Sequence, residues 1–151
     1  MENNTTESNK LLAKFMGYEY VPHLPEAIYK PGWWYKNTPD KYSKIGSKPT
    51  KFVESYFLCR RHGDLRYSNE WNWLMRVVEK IEKLNLSNFY DENNFMNVSV
   101  DIESGHCHIF VELNYDPSHR ITGVSNYDTP KLKLVYSQVV EFVKWYNGRM
   151  V

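Results

Sequence analysis

Apolar positions along this chain recur with two periods, one helical and one of strands. Leu11, Leu12, Phe15 and Met16 make a short helical stripe. Ser8 is placed to cap that helix and Gly17 to stop it, because glycine enters the left-handed region without a Cβ penalty. Residues 1–7 are polar after Met1 and are expected to be disordered. Tyr18, Tyr20 and Val21 then suggest a strand, which Pro22 cuts short. Ser68 opens a second helix running to about Leu84, with Trp71, Leu74, Met75, Val78 and Ile81 on its inner face. Residues 97–103 (NVSVDIE) and 106–113 (HCHIFVEL) alternate strictly, and Ser104-Gly105 between them signals a two-residue hairpin turn. Thr129 caps a closing helix with Pro130 at its first position. Leu132, Val135, Tyr136, Val139, Phe142, Val143 and Tyr146 face inward along it, and Asn147-Gly148 ends it.

Proline sets the character of the segment between the first two helices. Pro22, Pro25, Pro31, Pro39 and Pro49 forbid a long helix there and hold any strand to an edge. Residues 27–29 and 33–36 are expected to pair around Pro31-Gly32, with another short strand within 52–60. The pattern predicts an α+β fold in a single domain over residues 1–151. It would be a layered sandwich of an antiparallel sheet with about three helices packed on it, plus a Pro- and aromatic-rich insertion.

Composition adds two facts. Twelve Tyr, seven Phe and five Trp bring the aromatic fraction to 16%, enough to build either a core or a stacking surface. The net charge of +1 exerts no global pull on nucleic acid or membrane, but the charges are segregated. Residues 30–66 hold nine Lys and Arg against three acidic residues, and residues 67–116 hold nine acidic residues against three basic ones. Two faces of opposite potential would favour head-to-tail association into a homo-oligomer, or an anionic ligand on the basic side; two solvated faces are the plainer reading. Cys59 and Cys107 stand far apart, outside any CxxC, and read as free thiols in a reducing compartment. No apolar signal region precedes residue 10 and no stretch approaches a membrane span, so a cytoplasmic protein with no membrane partner is expected.

Four stretches carry a family resemblance: NKLLAKFMGYEY, EWNWLMRVVEKIEKL, the strand with Cys107 and Ile109, and KLKLVYSQVVEFVKWYN. Together they resemble small phage and prophage proteins with a phage "ABA sandwich" domain, common in Bacteroidetes viruses and gut metagenomes. The resemblance covers the two ends and the middle, about half of the chain. It implies a layered α/β domain and a phage-borne origin, and brings no catalytic residue with it. The segment from Ile28 to Lys51 lies outside it.

Two constellations carry candidate chemistry. With Ser104 and Gly105 as the turn, Glu103 stands opposite His106, Asp101 opposite His108 and Ser99 opposite Phe110. Val98, Val100 and Ile102 then share the buried face with Cys107, Ile109, Val111 and Leu113, and the other face gathers Asp101, Glu103, His106 and His108. That patch could ligate zinc or another divalent metal, could do acid–base work, or could simply be a solvated face stabilised by opposite charges. Helices on both sheet faces would bury those four polar groups and oblige each to find a partner.

The second constellation interleaves Tyr29, Trp33, Trp34, Tyr35 and Tyr42 with Lys30, Lys36, Lys41 and Lys44, followed by Arg60, Arg61, His62 and Arg66. Aromatic faces stack on bases and cations hold phosphates, as in a nucleotide or single-strand site. The same residues could cover the core or a subunit interface, since successive strand residues point opposite ways. No glycine-rich phosphate loop, GxSxG, HExxH or paired CxxC is present, which weighs against an enzyme. No cofactor and no stable duplex nucleic acid partner are expected.

These features suggest a phage-encoded, non-enzymatic binding protein acting in the infected cell. Its ligand would be an anionic small molecule, such as a nucleotide signal of host defence, held by Tyr29, Trp33, Trp34, Tyr35, Arg60 and Arg61. The alternatives are a metal-assisted hydrolase or phosphodiesterase built on Asp101, Glu103, His106 and His108, and a protein-interaction module using the aromatic segment.

Overall fold

The computed structural model describes residues 2–21, 32–36, 56–60, 65–90, 95–114 and 119–150, with side chains at 4–18, 65–90, 97–114 and 119–150. The protein is α+β, with three helices and antiparallel sheets among the described residues. The chain divides into two compact units, Met1–Leu65 and Arg66–Val151.

The first unit begins with α1, Glu2–Phe15. This helix starts six residues before the expected Ser8 cap. Leu12 and Ala13 are fully buried, so its C-terminal half is anchored, and each residue added in front gains a hydrogen bond without a new nucleation cost. Gly17, at φ +92°, ends the helix as expected, with its N–H donating to the Lys14 carbonyl. Asn9 is buried and its Nδ2 donates to the Leu65 carbonyl at 2.9 Å. Strand β1 (Tyr18–Val21) pairs antiparallel with β2 (Gly32–Lys36), which pairs antiparallel with β3 (Tyr56–Arg60). Strand β2 is therefore flanked by β1 and β3. The expected partner segment 27–29 and most of the Pro-rich insertion lie outside the described residues.

Most of the buried side chains among the described residues belong to the second unit. Helix α2 (Trp71–Glu82) starts three residues later than expected, after a turn in which the Arg66 carbonyl accepts from Asn69 and Glu70. Its buried residues are Leu74, Val77, Val78 and Ile81. At 100° per residue, Val77 swings the centre of that stripe away from Trp71, which is exposed, and from Met75, which is half-buried. Strands β4 (Phe95–Glu103), β5 (His106–Leu113) and β6 (His119–Ser125) form an antiparallel sheet in that order. Strand β6 is an element that the periodicity did not indicate. It is a mostly exposed edge strand whose register shifts beside Ile109, so its apolar residues keep no strict period of two.

Helix α3 (Lys131–Arg149) contacts β5, β6 and α2, while α2 contacts β4. Pro130 itself takes the capping position, with no side-chain cap, one residue later than Thr129. The helix passes the expected stop at Asn147-Gly148, because Gly148 stays in helical conformation in open space. Leu134, Gln138 and Val140 are buried beside the expected Val135, Val139, Phe142 and Val143. The helix is therefore covered over a wider arc than a narrow amphipathic stripe allows. Phe89, in the chain leaving α2, packs edge-on to Trp145 and Tyr146, and the Arg149 guanidinium lies 5.0 Å above the Trp145 ring.

The sheet meets these helices with Val98, Cys107, Ile109 and Val111, all buried. Burial pushes the Cys107 thiol up to about 12, with the Asp101 charge adding to the effect, so it stays protonated at neutral pH. No helix among the described residues is long and apolar enough to cross a membrane.

Candidate functional site

Sequence alternation places the chemistry of the second unit on the sheet face opposite the core. The β4–β5 register is the one that a two-residue turn demands: Glu103 opposite His106, Asp101 opposite His108 and Ser99 opposite Phe110. Gly105 sits at φ +82°, which an L side chain adopts only with strain. The Tyr127 ring packs where a Cβ on Gly105 would project, and the Asn126 N–H donates to the Gly105 carbonyl at 2.6 Å. The turn is thus held from the end of β6.

The four expected side chains meet on this face. His106 Nε2 lies 3.3 Å from Asp101 Oδ2 and 3.7 Å from Glu103 Oε2. The closer carboxylate is the diagonal one, because the directly opposed Glu103 side chain is 70% exposed and reaches into solvent. The His106 and His108 rings stack with centroids 5.0 Å apart and planes 20° from parallel. Asp101, His106 and His108 each offer one ligand atom, and those atoms all lie within 4.8 Å of one another. His106 is 19% exposed and the Asp101 side chain 44%, so solvent reaches the set from one side. The same face continues with Ser99, whose hydroxyl donates to Glu112 at 2.8 Å.

Two residues bordering the patch escaped sequence reading because their strand did. Gly123 on β6 pairs with His108. A Cβ there would collide with the His108 imidazole, and the Arg120 Cδ would lie 2.9 Å from it. Glycine at 123 therefore leaves the space that the His108 ring occupies. The signal available was the apolar and β-branched run Ile121, Thr122 and Val124, interrupted by that glycine.

The aromatic constellation is described only through its backbone. Register pairs Trp33 with Arg60 and with Tyr20, Trp34 with Cys59 and Glu19, and Tyr35 with Leu58 and Tyr18. Tyr29, Tyr42, Lys30, Lys41, Lys44, Arg61 and His62 lie outside the described residues. Arg66 forms an ion pair with Glu70 at 2.6 Å, four residues along in the turn before α2.

No protein-family model matches this chain, and neither a curated protein nor a solved structure is significantly similar to it.

The packing at Gly123 generates a paired expectation. Gly123→Ala should displace the His108 ring and cost about 1–3 kcal/mol, the usual penalty of overpacking. Gly148→Ala, in open helical space, should be neutral or stabilise by roughly 0.5–1 kcal/mol. Urea unfolding of both, with imidazole NMR shifts of His106 and His108 in the first, reads the result.

Proposed function

We propose that this chain is a metal-binding protein whose site is the carboxylate–imidazole face of the β4–β5 hairpin. One observation carries the reading: Asp101, His106 and His108 bring an oxygen and two imidazole nitrogens within 4.8 Å of one another. Zinc bonds to His nitrogen and carboxylate oxygen at about 2.0–2.2 Å, so neighbouring donors of a tetrahedral site stand roughly 3.3 Å apart. Asp101 Oδ2 and His106 Nε2 already stand at 3.3 Å. Two imidazoles and one carboxylate suit Zn²⁺ and other late first-row divalent ions better than Ca²⁺ or Mg²⁺, which prefer all-oxygen shells.

Binding rather than turnover is the activity this geometry favours. Asp101 is partly and Glu103 largely open to water, and catalytic electrostatics gain most of their strength in water-excluded sites. Metal-assisted hydrolysis of a phosphodiester remains the catalytic version of the reading, with bound water as nucleophile.

A second reading has its own observation. The β2–β3 register puts Trp33 across from Arg60, which are 27 positions apart in the sequence, and so supports an aromatic–cationic site for an anionic ligand such as a nucleotide. A phage origin, a cytoplasmic setting and action against a nucleotide signal of host defence are proposals that rest on the family resemblance and composition.

Calorimetric titration of the chelator-stripped full chain with Zn²⁺ tests the first reading. One equivalent should bind, and His106→Ala or His108→Ala should each weaken it by at least the roughly 10–100-fold that even a supporting residue costs. An absence of binding in the wild-type chain, or alanine variants that bind as well, would end it. The second reading expects nucleotide to quench tryptophan fluorescence in a way that Arg60→Gln abolishes; a flat titration ends that one.

A further inference from the structure

We propose that the hairpin site, once loaded with metal, is a receptor for a tetrahedral oxyanion of the phosphate class, with Arg120 as its second anchor. This rests on the metal-binding reading above and names the ligand that the loaded site would take.

Three protein donors leave at least one coordination position of a divalent ion open, and solvent reaches this set. A doubly charged ion held by one carboxylate and two neutral imidazoles keeps a net charge of +1, which favours an anion over water in the open position. The neighbouring strand supplies a second positive charge. Arg120 on β6 and His108 on β5 converge over Gly123: a Cβ at Gly123 would lie 2.9 Å from Arg120 Cδ and 3.2 Å from His108 Cγ. Glycine at that position lets the imidazole and the stem of the arginine lie side by side. Arg120 is exposed, and among the described residues it forms no ion pair. From a stem that runs beside the His108 imidazole, the planar guanidinium can swing to take one oxygen of a phosphate while the metal takes another.

Glu103 argues on the other side and sharpens the test. Its Oε2 lies 3.7 Å from His106 Nε2 on a largely exposed side chain, so it can swing toward the ion and compete for the open position. An anion must displace it. Removing Arg120 and removing the Glu103 charge therefore have opposite consequences for anion affinity, a signature that general loss of folding does not produce.

The probe is inorganic phosphate, followed by phosphorus-31 relaxation in the presence of the full chain loaded with one equivalent of Co²⁺. Metal loading is established first by titration for each variant. The expected result is saturable relaxation enhancement in the wild type. It should weaken by about tenfold or more in Arg120→Gln, the scale of one charge-assisted hydrogen bond, and tighten in Glu103→Gln. Phosphate that binds equally well to wild type and Arg120→Gln overturns the role of Arg120. A chain that holds Co²⁺ yet leaves phosphate relaxation unchanged overturns the receptor proposal and leaves the metal reading standing. A chain that takes up no metal overturns both, and the loading titration reports that before phosphate is added.

Discussion

A one-residue slip between β4 and β5 would turn Asp101 and Glu103 toward the helices and leave Val98 and Ile102 in water, because side chains alternate across a strand. The observed register prevents this from two directions. Val98, Cys107, Ile109 and Val111 are buried on one face, so sliding the strands would exchange apolar contact for buried carboxylates. Gly105 closes the turn at φ +82°, with the Tyr127 ring and the Asn126 N–H packed against it. Each patch residue therefore stands where it does because its neighbours in sequence are committed to the core. The polar side chains have not been gathered by attraction to one another: the His106–Asp101 contact is 3.3 Å long and partly open to solvent, a setting in which an ion pair is worth little.

That origin explains which parts of the structure were legible in advance. The turn and the pairing of residues 97–103 with 106–112 were readable, since strict alternation and Ser104-Gly105 leave a single register. The extension of β4 to Phe95 across a register shift was not, and Val100, Ile102 and Leu113 are half-buried where full burial was expected. Helices α2 and α3 were readable as elements but not as faces: Val77 rotates the α2 stripe away from Trp71, and α3 is buried over more of its circumference than its amphipathic pattern shows. Helix α1 begins before its expected cap, because anchoring by Leu12 and Ala13 outweighs the poor local propensity of Asn3, Asn4, Thr5 and Thr6. Strand β6 was missed because an edge strand with a register shift carries no strict period, and Gly123 and Arg120 went with it. Four of the site residues, Asp101, Glu103, His106 and His108, followed from pairing rules alone, whereas the space that admits His108 is visible only across a third strand.

The two function readings draw on different units and need not exclude each other. The second unit offers a donor set with side-chain geometry, and on the proposal above its bordering Arg120 would give that set a ligand preference. The first unit offers a register that pairs Trp33 with Arg60, within a stretch, residues 30–65, where basic residues outnumber acidic ones eight to three. On these readings the basic stretch of the first unit would favour a negatively charged ligand through its field. The hairpin, by contrast, lies in the acid-rich stretch 67–116 and would hold an anion only through direct contact with the metal and Arg120. The concern that a sheet covered on both faces would strand four polar groups does not arise for the patch itself, whose carboxylates remain substantially exposed.

The hairpin register bears the whole account of the carboxylate–imidazole site, and backbone NMR of the isotope-labelled full chain measures it directly. The account requires cross-strand Overhauser contacts linking Glu103 with His106, Asp101 with His108 and Ser99 with Phe110. Contacts displaced by one residue, joining Asp101 to Cys107 or to Ile109 as its opposed partner, would put the carboxylates and the imidazoles on opposite faces and contradict it.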